Sequence, residues 1–177
     1  SRVLSLYLAA PLTRGTYLLS KAAAVTTVTL SVTVGPPLLL LVGLALENDG
    51  PAGPLGMLSV LGRILLAGAI LSAVYTALAL AAASLTDRRA FAASGALLVL
   101  LGGGAVVNVL VLGLHAPSLL LLLNLGRTPF ELVQRIYGKP AFSNGITVID
   151  DALACVAYVA VGASVAIWRY LRLQVTR

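Results

Sequence analysis

Four long stretches of this chain carry no Asp, Glu, Lys, Arg or His: Ala22 to Leu46, Ile64 to Thr86, Ala90 to Leu114 and Ala152 to Trp168. A hydrocarbon core about 30 Å thick takes roughly 20 apolar residues at about 1.5 Å rise each. Three of the stretches meet that length, and the fourth meets it with Ile149 to Asp151 at its mouth. The pattern predicts an all-α, polytopic helical membrane protein. Its spans are expected over residues 22–46, 60–86, 90–114 and 149–168, within one transmembrane domain covering 1–177.

Each span has its own texture. In the first, Thr26, Thr29 and Thr33 share one helical face, and Gly35-Pro36-Pro37 predicts a kink or break, because proline lacks the amide hydrogen and clashes with the preceding turn. The second carries Gly68, Ser72 and Thr76 at spacing four, beside Ala69, Ala73, Ala77 and Ala81. Small residues at that spacing let helices approach closely, which matters where lipid supplies no hydrophobic drive for association. Gly102-Gly103-Gly104 in the third span and Gly162 with Ala166 in the fourth repeat the device.

Between the last two spans, Leu119 to Leu123 is a leucine run too short to cross a bilayer. Thr128-Pro129-Phe130-Glu131 then reads as a capping box with proline at the first helical position. Phe130, Leu132, Val133, Ile136 and Tyr137 make an apolar face opposite Glu131, Gln134 and Arg135, and Gly138 with Pro140 closes the helix. Short re-entrant and amphipathic helices are therefore expected over 118–138.

Composition agrees with the pattern: 59% of residues are hydrophobic, 10% are charged and the mean hydropathy is +1.01. The net charge of +6 comes without a long basic run, so a nucleic-acid partner is not expected and the lipid bilayer is. Arg2, Arg14, Lys21, Arg88, Arg89, Arg169, Arg172 and Arg177 fall on one side if the spans alternate, and that side is predicted to be cytoplasmic. Both ends of the chain then lie there. Glu47, Asp49, Asp150 and Asp151 fall on the other side, with Arg63, Arg127, Arg135 and Lys139. Lys21 and Lys139 are the only lysines among the twelve cations, a bias that points to a GC-rich bacterial source and hence to the bacterial plasma membrane.

Candidate chemistry is sparse, and no catalytic, cofactor-binding or metal-ligating set is expected. Cys155 is the only cysteine, His115 has no ligand at metal spacing, and Asp150-Asp151 reads as acidic residues favoured by a helix N-terminus. Gly102-Gly103-Gly104 lacks the Lys and Ser or Thr of a phosphate loop. Arg63 stands about two turns inside the second helix if that helix starts near Gly56; it either contacts a substrate or gate, or snorkels to the headgroups. Thr26, Thr29, Thr33 and Asn108 either line a polar path or serve helix packing. These four and Arg63 are the pathway candidates, and an ATP-independent channel or carrier, or an assembly subunit, remain alternatives.

The most specific stretch precedes the first span: Leu8-Ala9-Ala10-Pro11-Leu12-Thr13-Arg14-Gly15-Thr16-Tyr17-Leu18-Leu19-Ser20-Lys21. It resembles the permease subunits of ABC-2 type transporters, in which a leucine-rich helix is followed by Pro, a small aliphatic residue, Ser or Thr, and Arg. An aromatic-Leu-Leu stretch ending in Lys follows at the foot of a membrane helix. Pro11, Leu12, Thr13, Arg14, Tyr17, Leu18, Leu19 and Lys21 match this pattern, and Ser20 stands where the family usually has Gly.

The resemblance implies an exporter, a second permease subunit and separate ABC ATPase subunits that carry the ATP and Mg. It implies that residues 1–21 form a cytoplasmic coupling segment, with Pro11, Thr13, Arg14, Tyr17, Arg88 and Arg89 as the ATPase-coupling residues. Such permeases usually have six spans, so the four seen here are expected to be the last four of six.

Overall fold

The computed structural model describes residues 14–86, 88–140, 142 and 145–172. Among them every regular element is a helix. Four stretches are long and apolar enough to cross a membrane: Leu18–Leu46, Gly53–Leu85, Ala90–Gly113 and Val148–Arg169. Pro11 and Thr13 lie outside the described residues, as does the rest of the expected coupling helix before Arg14.

Helix α1 (Arg14–Leu46) and helix α2 (Gly53–Leu85) are each 33 residues long. At about 1.5 Å per residue such a helix measures roughly 50 Å, well beyond a 30 Å hydrocarbon core, so its ends must project or the helix must tilt. α1 therefore reaches two turns further toward the N-terminus than its uncharged stretch, because charge marks where lipid ends and not where helical hydrogen bonding ends. Pro36 and Pro37 sit inside α1, and the helix is not broken there. Their missing amides deprive the carbonyls of Val32 and Thr33 of the usual donor, a loss that membrane helices tolerate when neighbours compensate.

α2 is the centre of the bundle. Ile64, Ala67, Gly68, Leu71, Val74, Ala77 and Leu80 are all buried along it, with α1 packed on one flank and α6 (Val148–Arg172) on the other. Thr33 meets Gly68 while Thr29 meets Thr76, so α1 runs antiparallel to α2. Arg169 donates from Nε to the Ser84 carbonyl at 3.3 Å, and Cys155 packs on Val74, so α6 runs parallel to α2.

The third span is not one uniform α-helix. α3 (Arg89–Leu97) passes into a π-helical turn at Leu98–Gly102, then α4 (Gly103–Asn108), then a second π-helical turn at Val109–Gly113. The three consecutive glycines, poor helix formers, fall at the first junction. Leu98, Leu101, Val106, Val109 and Leu112 are all exposed, while Gly104 and Val107 are buried against the connection that follows this span.

Two short helices fill the connection between the third span and α6: a 3-10 turn at Ser118–Leu123 and α5 (Thr128–Ile136). The topology gathers Arg88, Arg169 and the start of α1 at one end of the bundle, the basic end. α5 and the head of α6 lie at the other, the loop end.

Candidate functional site

Halfway along the bundle, hydroxyls bridge α1 and α2. Thr29 Oγ1 lies 2.7 Å from Ser72 Oγ and 3.0 Å from Thr76 Oγ1. Thr33 Oγ1 donates to the Gly68 carbonyl at 3.2 Å, and Ser72 Oγ donates to the Thr26 carbonyl at 3.3 Å. Thr29 and Thr33 also bond back to their own helix, to the carbonyls of Val25 and Thr29. The hydroxyl face of α1 is thus engaged with a matching face of α2.

Glycine sets how close these helices come. A Cβ on Gly68 would stand 2.2 Å from Val34 Cγ2, and one on Gly162 would stand 2.9 Å from the Ala77 backbone carbonyl. Beside this seam a groove of about 370 Å³ opens sideways between α1, α2 and α6, lined by Thr26, Leu30, Ala73, Thr76, Val159 and Ala163 among others. Its walls are almost wholly apolar.

The loop end holds the charged groups. Arg135 Nε meets Asp151 Oδ2 at 2.8 Å, its Nη2 donates to the Ile146 carbonyl at 2.7 Å and lies 3.8 Å from Glu131 Oε1. Arg127 Nε approaches the other oxygen of Glu131 at 3.5 Å. Glu131 is only 2% exposed and Asp151 only 1%. Two partly exposed guanidinium groups face two buried carboxylates, so the formal charges balance, which is what burial of the carboxylates demands. Among the described residues neither oxygen of Asp151 nor Arg135 Nε has a hydrogen-bond partner, so their 2.8 Å contact is an ion pair without hydrogen-bond alignment.

Local sequence explains why the network forms here. Arg127, Glu131 and Arg135 recur at spacing four, one helical face. Leu132 sits on the adjacent face and packs over Val74 and Cys155, which turns that face toward α6. Tyr158 on α6 donates its hydroxyl hydrogen to the Leu122 carbonyl, tying the 3-10 turn down. Phe130 stands half-exposed beside Tyr75 with ring centroids 6.3 Å apart, and the Arg127 guanidinium lies 5.6 Å from the Phe142 ring centre.

The expected capping box is placed differently. Thr128 is buried and donates to the Leu121 carbonyl at 3.2 Å, and Glu131 turns to the arginines. Asn124 Oδ1 accepts the amides of Gly126 and Arg127 at 3.2 and 3.1 Å, and its carbonyl accepts those of Arg127 and Thr128, each at 3.0 Å. Asn124 nests against Gly104, where a Cβ would stand 2.9 Å from Oδ1. A reciprocal box forms instead at the head of α6: Asp150 Oδ2 accepts from the Thr147 amide at 2.8 Å, and Thr147 Oγ1 accepts from the Asp150 amide at 3.3 Å. The apolar face drawn for α5 is corrected as well, because Glu131 is buried while Phe130 is exposed.

Of the pathway candidates, Thr26 borders the groove, and Thr29 and Thr33 bond across to α2. Arg63 is exposed ten residues into α2, near Tyr137, whose phenol burial pushes above its ordinary value while Arg63 pulls it down. Asn108 ends α4 on the third span, its Oδ1 buried and without a hydrogen-bond partner among the described residues. These five residues do not form one cluster.

Of the coupling candidates, Arg14 and Tyr17 lie in the first turns of α1. Arg88 is exposed at the basic end, its guanidinium 5.9 Å from the Phe91 ring centre, and Arg89 begins α3. Glu131, Arg135, Asp151, Asn124 and Tyr158 are not singled out for any site by the sequence pattern. The spacing of Arg127, Glu131 and Arg135 is the available signal, but charge at i, i+4 reads equally as a solvated helix face.

Among the described residues there is no group of three or more His, Cys, Asp or Glu arranged to hold a metal ion. Comparison of the chain with protein-family models, curated proteins and solved structures gave no match.

Proposed function

We propose that this chain is the membrane-spanning permease subunit of an ABC-2 type transporter, an exporter in a bacterial plasma membrane. It works with a second permease subunit and with separate ATPase subunits that bind ATP and Mg. The observation that carries this reading is the segment Pro11-Leu12-Thr13-Arg14 with Tyr17-Leu18-Leu19 and Lys21 at the foot of α1. The layout supports it: four apolar spans, basic residues gathered at one end, and short helices between the last two spans.

Residues 1–21 dock on an ATPase subunit through Pro11, Thr13, Arg14 and Tyr17, with Arg88 and Arg89 as the neighbouring contacts. ATP-driven closure of the two ATPases rocks the permease halves, and access alternates between the membrane faces. Both chain ends lie in the cytoplasm, and the short helices 118–138 are on the far side. Substrate passes along the groove beside Thr26, Thr29 and Thr33, with Arg63 and Asn108 as further contacts.

Reversing the charge of Arg14 tests the coupling. Arg14→Glu is expected to leave the bundle folded, by its helical circular dichroism, and to weaken or uncouple the ATPase subunit. Unchanged ATPase association and unchanged ATP-driven transport in that variant would contradict the role given to Arg14.

A further inference from the structure

We propose that the Arg127–Glu131–Arg135–Asp151 network is an acid-released latch: proton uptake by the buried carboxylate of Asp151 frees α5 from the head of α6 and uncovers Cys155. The proposal rests on the geometry of the loop end and is independent of what drives transport.

One guanidinium does most of the joining. Arg135 belongs to α5, yet its strongest contacts are Asp151 Oδ2 at 2.8 Å and the Ile146 carbonyl at 2.7 Å, both from the α6 side of the intervening loop. The apolar hold on α5 comes from few side chains. Within this nine-residue helix Leu132 and the partly buried Ile136 pack into the Val74–Cys155 cluster, Pro129 is buried, and Phe130 is half-exposed. Gly138 follows α5 at φ +74°, a conformation side chains rarely adopt, so the chain turns there on a glycine.

The charge balance sets the direction of release. With both carboxylates ionised the four groups sum to zero. A proton on Asp151 removes the counter-charge 2.8 Å from the Arg135 guanidinium, and removing one partner of a buried pair is strongly destabilising. The latch is therefore closed where Asp151 is charged and opens as pH falls.

The groups that border it are Arg127, Glu131 and Arg135 from α5, Asp150, Cys155 and Tyr158 from α6, and Tyr75 from α2. The 3-10 turn Ser118–Leu123 and helix α4 carry no ionisable side chain. Asp150 is engaged with Thr147 and makes no ion pair in the network, although its charge acts on Arg135 and Asp151.

Cys155, the only cysteine, lies beneath Leu132 and serves as a built-in reporter. The protein in lipid nanodiscs, with both faces accessible, is treated with N-ethylmaleimide between pH 7.5 and 4.5. Each rate is divided by that of the same protein denatured in SDS at the same pH, and helicity is followed by circular dichroism. The ratio is expected to rise at least tenfold on acidification with helicity retained.

Asp151→Asn is expected to label fast at pH 7.5 already, and Asp150→Asn to follow the wild type. A wild-type ratio that stays flat overturns the proposal, as does labelling that rises only with loss of helicity. If Asp151→Asn fails to fold, the wild-type titration decides alone; if it folds and labels as slowly as wild type, the assignment to Asp151 is wrong.

Discussion

At Gly162 a Cβ would stand 2.9 Å from the carbonyl carbon and oxygen of Ala77, atoms of the α2 backbone that cannot rotate away. Overpacking of this kind costs about 1–3 kcal/mol. Gly162→Val is therefore expected to lower the thermal unfolding midpoint in detergent clearly. Gly43, where an added methyl group would meet nothing within 4 Å, is expected to accept Ala with little change. The hydroxyl seam should matter less than the glycine. Interhelical hydrogen bonds in membranes average about 0.6 kcal/mol and reach about 1.7. Thr29→Val, which removes the contacts to Ser72 and Thr76, is expected to cost less than Gly162→Val in the same assay. The reverse order would mean that polar bonding, and not close approach, holds α1, α2 and α6 together.

Among elements, α5 is the one whose position depends on charge. Arg135 is 15% exposed and makes a 2.8 Å contact with a fully buried carboxylate, whereas Arg127 is 25% exposed and 3.5 Å from Glu131. Breaking a buried pair costs about 3–5 kcal/mol, and exposed pairs are worth about 0–1. Arg135→Gln should therefore destabilise the protein more than Arg127→Gln, measured by thermal or denaturant unfolding. Equal effects would show that the network is not concentrated on Arg135. The long elements were legible in the sequence because an uncharged run of 20 or more residues has few alternatives to a membrane helix. The short ones were legible only as helices. Whether Glu131 faces water or protein depends on α6 lying beside α5, a contact with residues 20 positions away that local spacing does not encode. The same holds for Thr128 and Asn124: both are good capping residues, and Gly104 on another helix decides which one is used. Of the kink or break expected at Pro36-Pro37, the break is absent for a related reason, since proline's local penalty says nothing about what surrounds the helix.

For the molecule as a whole, apolar exposure is the main fact. Leu39, Leu40, Leu55, Leu98, Leu101 and Leu112 are each more than half exposed, along with many other large apolar side chains. A bundle with α2 buried and its other spans bare needs lipid or further protein around it. The four spans and the helical class follow from this surface and from the sequence pattern together. The proposed coupling role rests on the sequence motif at Pro11 to Lys21, whose first residues lie outside the described ones. The most direct measurement is affinity purification of the protein from its native membrane in mild detergent, with its associated chains identified by mass spectrometry and ATP hydrolysis assayed on the eluate. A permease subunit of the proposed kind brings with it a stoichiometric ATP-binding-cassette subunit and ATP turnover. Recovery of the protein without any ATPase, together with solute flux through it in liposomes lacking ATP, would contradict that role.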